Sequence, residues 1–203
     1  MKTKSCIVLD IDATIVDMFG TCNNWQLIKS EYRKEILDRV VTIDIGGVFY
    51  WGSKRPHFDE FLVKCFETFD IVGIWSAGKR EYVHEIAQEL FISKGFCPNF
   101  IWSKEYCVPQ YIFKRNLIVK QKPLVKLYDV FPEIDPKKTI IIDDRLDVTN
   151  QDMLNHIWIP AWGNGYETFR KQDDILLRIS EQFSKLKDVK NYKYVSINLE
   201  EEV

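Results

Sequence analysis

The chain has 203 residues, 28 Lys+Arg against 30 Asp+Glu, and a formal charge of -2, with 46% hydrophobic and 14% aromatic residues. That composition can bury a full core, which excludes an intrinsically disordered chain, and the near-neutral charge lacks the basic excess of a non-specific nucleic-acid binder. No apolar run approaches the roughly 18 residues of a membrane span, and the short apolar run before Asp10 is no signal-peptide core, so an intracellular, nuclear or cytoplasmic protein without a membrane partner is expected.

In chain order, Cys6-Ile7-Val8-Leu9 is a continuous apolar run that stops at Asp10. Such runs, without alternation, are what strands of a parallel sheet covered on both faces look like. Residues 40 to 51 read as a β-hairpin turning at Gly46-Gly47. Phe61, Leu62, Cys65, Phe66 and Phe69 then follow helical spacing, as do Val83, Ile86, Ala87, Leu90 and Phe91. Between them Ile71-Val72-Gly73-Ile74-Trp75 is a second buried strand, ending at Ser76. Residues 100 to 120, with Phe100-Ile101-Trp102 and Tyr111-Ile112-Phe113, predict a second hairpin. Leu124, Leu127, Tyr128 and Phe131 mark a helix. Thr139 to Ile142 is a strand ending at Asp143-Asp144, and Ile157 to Ile159 a strand ending at Pro160. Ile175, Ile179, Phe183 and Leu186 mark a last helix, and the tail through Glu200-Glu201-Glu202 reads as a loose extension.

Strand alternating with helix predicts a doubly wound, Rossmann-like α/β domain with hairpin insertions. One domain is expected over residues 1–188, followed by an extension over 189–203. The five cysteines (Cys6, Cys22, Cys65, Cys97, Cys107) are odd in number and form no CxxC pair. They read as buried small hydrophobes in a reducing compartment.

Ligands of open α/β sheets bind beyond the carboxyl ends of the strands. Asp10, Ser76 and Asp143-Asp144 stand at three such ends and would converge if those strands are neighbours. In Asp10-x-Asp12-x-Thr14 one carboxylate can point into the crevice as nucleophile while the next serves as acid and base. So many carboxylates without a cation would repel strongly; Mg²⁺ on oxygen ligands resolves this. A carboxylate nucleophile, Mg²⁺ and a fixed lysine are the parts for phosphoryl transfer through an aspartyl-phosphate. Lys122 precedes Pro123, which suits the first position of a helix, so Lys122 is expected at the helix's positive end, holding a phosphate oxygen or neutralising the nucleophile. Lys120, on the extended segment before it, is expected to have no fixed direction.

These residues, in this order, resemble the four signature motifs of the haloacid dehalogenase superfamily. Lys54-Arg55-Pro56-His57-Phe58-Asp59-Glu60-Phe61-Leu62, Trp75-Ser76-Ala77-Gly78-Lys79-Arg80-Glu81-Tyr82 and the segment from Ile157 to Trp162 resemble the phosphatases of the RNA polymerase II C-terminal domain. Lys122-Pro123-Leu124 through Asp143-Asp144 is nearest their ubiquitin-like-domain-containing branch. The compact length, with no room for such a domain before Asp10, points to a homologue of the kind large DNA viruses carry. The resemblance implies a Mg²⁺-dependent protein serine/threonine phosphatase whose partner is a phosphoprotein such as that C-terminal domain. It makes Asp10 nucleophile and metal ligand, and Asp12 acid/base and metal ligand through its backbone carbonyl. It gives Ser76 and Lys122 the phosphoryl group, and Asp144 with Asp143 the rest of the metal shell. Asp12-Ala13-Thr14 departs from the usual Asp-Glu-Thr, Ser76 stands where Thr is common, and Met18 to Arg39 is unlike the small members. Rival readings are a phosphatase for a small phosphorylated metabolite or nucleic-acid end, and a non-catalytic phosphoprotein-docking module. The first usually carries a large cap; only about 40 residues separate Thr14 from Arg55, which leaves no room for one. Trp51, Tyr50, Phe49 and Trp75 could line a peptide groove, although most such aromatics are core.

Overall fold

The computed structural model describes residues 3–21, 30–113, 116–148, 153–163 and 173–186. In chain order its strands are β1 (Lys4–Leu9), β2 (Val16–Thr21), β3 (Val40–Ile45), β4 (Val48–Lys54), β5 (Ile71–Trp75), β6 (Phe100–Trp102), β7 (Val108–Ile112), β8 (Leu117–Gln121), β9 (Ile134–Asp143) and β10 (His156–Trp158). The helices are α1 (Ser30–Ile36), α2 (Phe58–Thr68), α3 (Arg80–Leu90), α4 (Val125–Val130) and α5 (Ile175–Leu186).

The continuous apolar runs become the parallel strands of a five-stranded sheet in the order β10-β9-β1-β5-β6. Every residue of β1 after Lys4 is buried, as are all of β5 and the last five of β9. Alternation along β1 feeds two cores: Ile7 and Leu9 pack with side chains of α2, α3 and α5, while Cys6 and Val8 pack with Trp75, Leu124 and Leu127. Helices therefore cover both faces, as an all-parallel sheet requires. On the first face Phe183 of α5 packs on Phe61 and Phe69, with ring centroids 5.7 and 5.2 Å away.

The chain runs from β1 outward through β5 to β6, then returns to β9 and β10 on the other side of β1. The switch point thus falls between β1 and β9, where a crevice opens beyond the strand ends. Register sets what meets there. Leu9 pairs with both Ile74 and Ile142, so Asp10 and Asp143 leave the sheet at one level and Ser76 follows one residue past it.

Two small antiparallel sheets complete the fold. The hairpin predicted at Gly46-Gly47 forms between β3 and β4, and both glycines take positive φ (62° and 84°), which a tight two-residue hairpin turn demands. It is not a lone hairpin, because β2 pairs with the other edge of β4. The second hairpin also differs from expectation. It joins β7 to β8, whereas Phe100–Trp102 is the edge strand β6 of the parallel sheet. The cause is packing: Phe100 and Trp102 belong to the core around Trp75 and Phe131. Gly73 makes room for them, since a Cβ there would lie 2.0 Å from Phe100 Cζ. Trp51 and Trp75 are likewise buried in the core instead of lining a groove, while Phe49 is exposed. Cys6, Cys65 and Cys107 are buried and Cys97 is exposed, all four free. Cys22, the boundary expected at 188 and the tail lie outside the described residues.

Candidate active site

Asp10 continues the β1 ladder by one bond, its N–H donating to Ile142 O at 3.0 Å, and then the chain turns sharply. Ala13 takes a left-handed φ of 59°, a conformation that costs a non-glycine residue about 1–2 kcal/mol. The turn is held from two sides: Ala13 N–H donates to Val16 O at 2.9 Å, and Trp162 N–H donates to Ala13 O at 2.6 Å. The result separates the two motif carboxylates. Asp10 is 6% exposed at the crevice floor, and Asp12 stands at its open lip.

Both oxygens of Asp10 are occupied. Lys122 Nζ donates to Oδ1 and Thr14 Oγ1 donates to Oδ2 at 3.0 Å. Lys122 also donates to Asp143 Oδ2 at 2.6 Å, so one ammonium bridges the ends of β1 and β9. The Thr14 hydroxyl in turn accepts from the N–H of Asp144 at 3.1 Å, tying the first motif to the fourth. Asp143 Oδ1 accepts from Arg145 N–H at 2.9 Å, and Trp158 Nε1 fixes the Asp144 carbonyl at 2.7 Å.

Lys122 is not placed by a helix start. Helix α4 begins at Val125 and has only six residues. The lysine is held instead by its N–H, which donates to Val148 O at 2.7 Å, and by its two carboxylates. Lys120 does have a fixed direction: its ammonium donates to Ala77 O at 3.0 Å. Lys126 points elsewhere, to Tyr106 O.

Ser76 extends β5 toward the same opening. Its hydroxyl accepts from Gly78 N–H at 2.9 Å and donates to Asp12 Oδ2 at 3.3 Å. This is a local turn and not a helix cap, because α3 starts four residues later with Lys79 as its N-cap, whose side chain makes no capping bond. Tyr82, on the first turn of α3, donates its hydroxyl to Asp12 Oδ1. The crevice has a volume of about 370 Å³, and Asp10, Asp12, Gly78, Lys122, Asp143 and Asp144 are among its lining residues.

The electrostatics follow from burial and crowding. Burial, with the charge of Asp143 added, outweighs Lys122 and pushes Asp10 up to about 6. Burial and the charge of Asp10 push Asp144 up to about 6. Burial raises Asp143 although Lys122 opposes it. Burial lowers the pKa of Lys122, yet Asp10 and Asp143 together hold it above the ordinary value. Four carboxylates share this crevice with Lys122 and with Arg145, which is itself paired with Asp147, and oxygens of Asp10, Asp143 and Asp144 lie within 4.8 Å of one another. An all-oxygen donor set with surplus negative charge fits a hard divalent cation.

All six residues singled out in the sequence (Asp10, Asp12, Ser76, Lys122, Asp143, Asp144) therefore meet in one place. Three supporting residues were not singled out. Thr14, Arg55 and Tyr82 were visible only as letters of the motif segments. Tyr82 gives no sequence signal of its contact with Asp12. Arg55 is buried, donates to Thr14 O at 3.2 Å and grips Asp173 with two bonds of 3.0 and 2.7 Å; an arginine after a strand did not announce that role.

Comparison with known proteins agrees with this architecture. Human carboxy-terminal domain RNA polymerase II polypeptide A small phosphatase 1 is 28% identical over 189 residues, 92% of this chain and 62% of the relative. Bovine ubiquitin-like domain-containing CTD phosphatase 1 is 26% identical over 216 residues, 91% of this chain and 65% of the relative. The chain thus spans less than two thirds of either relative's length. The solved structure of Fcp1, an essential RNA polymerase II CTD phosphatase, shares the fold with a TM-score of 0.59 at 22% identity, over 98% of this chain and 51% of that one. Fission yeast Fcp1 bound to beryllium fluoride matches equally well, with a TM-score of 0.59 at 20% identity, over 97% of this chain and 54% of that one. With residues 5–193 matching its sequence pattern, the chain belongs to the NLI interacting factor-like phosphatase family.

Proposed function

We propose that this chain is a Mg²⁺-dependent protein serine/threonine phosphatase that hydrolyses phosphoprotein substrates, of the kind of the RNA polymerase II C-terminal domain, through an aspartyl-phosphate on Asp10. One observation carries this reading. Asp10 ends the central strand at the switch point with both oxygens oriented, by Lys122 and Thr14, beside Asp143 and Asp144.

In the proposed first step the Asp10 carboxylate attacks phosphorus and the bond to the seryl oxygen breaks. Asp12, two residues on and held by Ser76 and Tyr82, gives that oxygen its proton. In the second step Asp12 takes a proton from water as the water attacks the aspartyl-phosphate, which frees phosphate and restores Asp10. Lys122 balances the charge of the incoming phosphoryl group and of its nucleophile. The carboxylates of Asp10, Asp143 and Asp144 and the backbone carbonyl of Asp12 would hold Mg²⁺. When bound, the cation supplies positive charge that offsets the carboxylates and the phosphoryl oxygens.

The names of the relatives support a phosphoprotein over a small metabolite. So does the crevice, which stays open: between Thr14 and Arg55 the described chain forms only β2, α1, a single 3-10 turn (Leu37–Arg39), β3 and β4. Free cysteines fit a reducing intracellular compartment. The test is turnover of p-nitrophenyl phosphate and then of a phosphopeptide panel, with and without EDTA. Turnover of phosphoserine peptides that EDTA abolishes is expected. Exclusive turnover of phosphorylated metabolites or nucleic-acid ends, or binding of phosphopeptides without turnover, would overturn the reading in favour of a small-substrate phosphatase or a docking module.

A further inference from the structure

The β7–β8 hairpin has one face that the catalytic crevice leaves unused. Strand register puts Pro109 opposite Lys120 and Tyr111 opposite Ile118, and in a two-stranded ribbon opposed residues share a face. The other face is the one that packs inward, since it carries the buried Val119 and Gln121. On the outward face Tyr111 is 45% exposed and Ile118 64% exposed, and Phe113 at the tip is 86% exposed while stacked edge-on against Tyr111 at 4.7 Å. Scattered exposed apolar residues need no explanation, but a contiguous row of them marks an interaction surface.

This row is continuous with the site. Lys120 stands at its inner end, with its ammonium on the carbonyl of Ala77, itself a lining residue of the crevice. Two residues further along the chain, just past the end of β8, is Lys122, bonded to Asp10. Among the described residues no carboxylate pairs with Lys120. In a chain of net charge -2, an ammonium without a carboxylate partner at the lip of a phosphoryl-transfer crevice favours an anionic occupant.

We infer that the outward face of the β7–β8 hairpin is a docking arm for the substrate polypeptide, taking an extended segment in which an anionic residue, acidic or phosphorylated, meets Lys120 and an apolar or aromatic residue beyond it packs on Tyr111, Ile118 and Phe113. This deepens the proposed phosphatase reading and rests on it. The occupant is the substrate's own chain because the face begins at the crevice lip and its inner end is cationic. A second copy of this protein would need only the apolar part.

The test compares phosphoserine peptides that are short, extended with Glu and Phe on the N-terminal side, or extended likewise on the C-terminal side. Wild type should show at least a tenfold higher kcat/KM for one extended peptide than for the short one. Lys120→Ser and Ile118→Ser should each remove most of that advantage while p-nitrophenyl phosphate turnover stays within twofold of wild type. As a measurement independent of turnover, the extended peptide bound to the Asp10→Asn protein should slow amide hydrogen exchange across residues 108–121. Equal kcat/KM for short and extended peptides, an advantage that survives both substitutions, or no change in exchange would overturn the proposal. A concentration-dependent dimer abolished by Ile118→Ser would overturn it in favour of self-association. If wild type fails to turn over p-nitrophenyl phosphate at all, the phosphatase reading falls, whereas activity without any peptide-length effect sinks only the docking arm.

Discussion

Replacing Lys122 by methionine keeps the stem and removes the ammonium that bonds both Asp10 and Asp143. The lysine is 1% exposed, so water cannot substitute for it. Removing one partner of a buried ion pair costs about 3–5 kcal/mol. Here the loss falls toward the lower end, because Asp10 and Asp143 are already raised by burial and can take up protons instead of staying charged. A loss of about 3 kcal/mol corresponds to a Tm roughly 6–12 °C lower for a chain of this size. The sign with pH is fixed. Carboxylates whose folded pKa is raised destabilise the fold when ionised, and the cost is relieved as pH falls through that pKa. The Tm deficit of Lys122→Met should therefore be largest at pH 8 and shrink by pH 5. Catalysis should suffer separately, since a preorganised charge at the reacting group contributes roughly 10²–10³-fold in kcat. Differential scanning calorimetry at the two pH values and p-nitrophenyl phosphate kinetics measure both effects. Lys120→Ala and Lys126→Ala, whose ammonium groups rest on carbonyls of Ala77 and Tyr106, should stay within a few-fold on this substrate. A Lys122 variant that keeps wild-type Tm at pH 8, or turns over within a few-fold of wild type, would refute the reasoning. A dead Lys120 variant beside an active Lys122 variant would shift the third motif by two residues.

Asp10→Asn, near-isosteric and still able to bond Thr14, should retain a cooperative melt while kcat falls by on the order of 10⁴-fold or more; turnover within tenfold of wild type contradicts the nucleophile assignment. Tyr82→Phe removes one of the two hydrogen bonds that orient Asp12. It should slow phosphoserine peptides, whose poor leaving group needs a proton, about tenfold more than p-nitrophenyl phosphate, whose leaving group does not; equal effects on both substrates would show that Tyr82 does not act through Asp12. Protons should compete with Mg²⁺, because Asp10 and Asp144 titrate near 6 in the metal-free protein. Between pH 7 and pH 5 each would weaken binding about tenfold, roughly 100-fold together, measurable by titration calorimetry; an affinity independent of pH would exclude these two carboxylates as ligands.

The strands that build the crevice were legible because β1, β5 and β9 are buried on both faces and show it as unbroken apolar runs, each stopped by a polar residue that the site uses. Other features had no such mark. Phe100-Ile101-Trp102 looks the same as a hairpin strand or a parallel edge strand, and only the space above Gly73 decides it. Strand β2 was missed because its partner β4 lies far along the chain, and Asp17 and Gly20 interrupt its apolar pattern. Arg55 was opaque for the same reason, its partner Asp173 being 118 positions away. Lys122 was found by motif order and not by the helix start invoked for it, since α4 begins later than Pro123 suggested. Local patterns reveal burial, while long-range pairings have to be seen.

The central claim is that Asp10 becomes phosphorylated during turnover. Mixing the enzyme with p-nitrophenyl phosphate and Mg²⁺, quenching in acid, reducing with borohydride and mapping peptides by mass spectrometry tests it directly, because borohydride converts an acyl phosphate to an alcohol. The account predicts conversion of Asp10 to homoserine, dependent on substrate and absent without Mg²⁺, with Asp12, Asp143 and Asp144 unchanged. Steady turnover with no reduced residue at Asp10, or reduction at one of the other three aspartates, would contradict it.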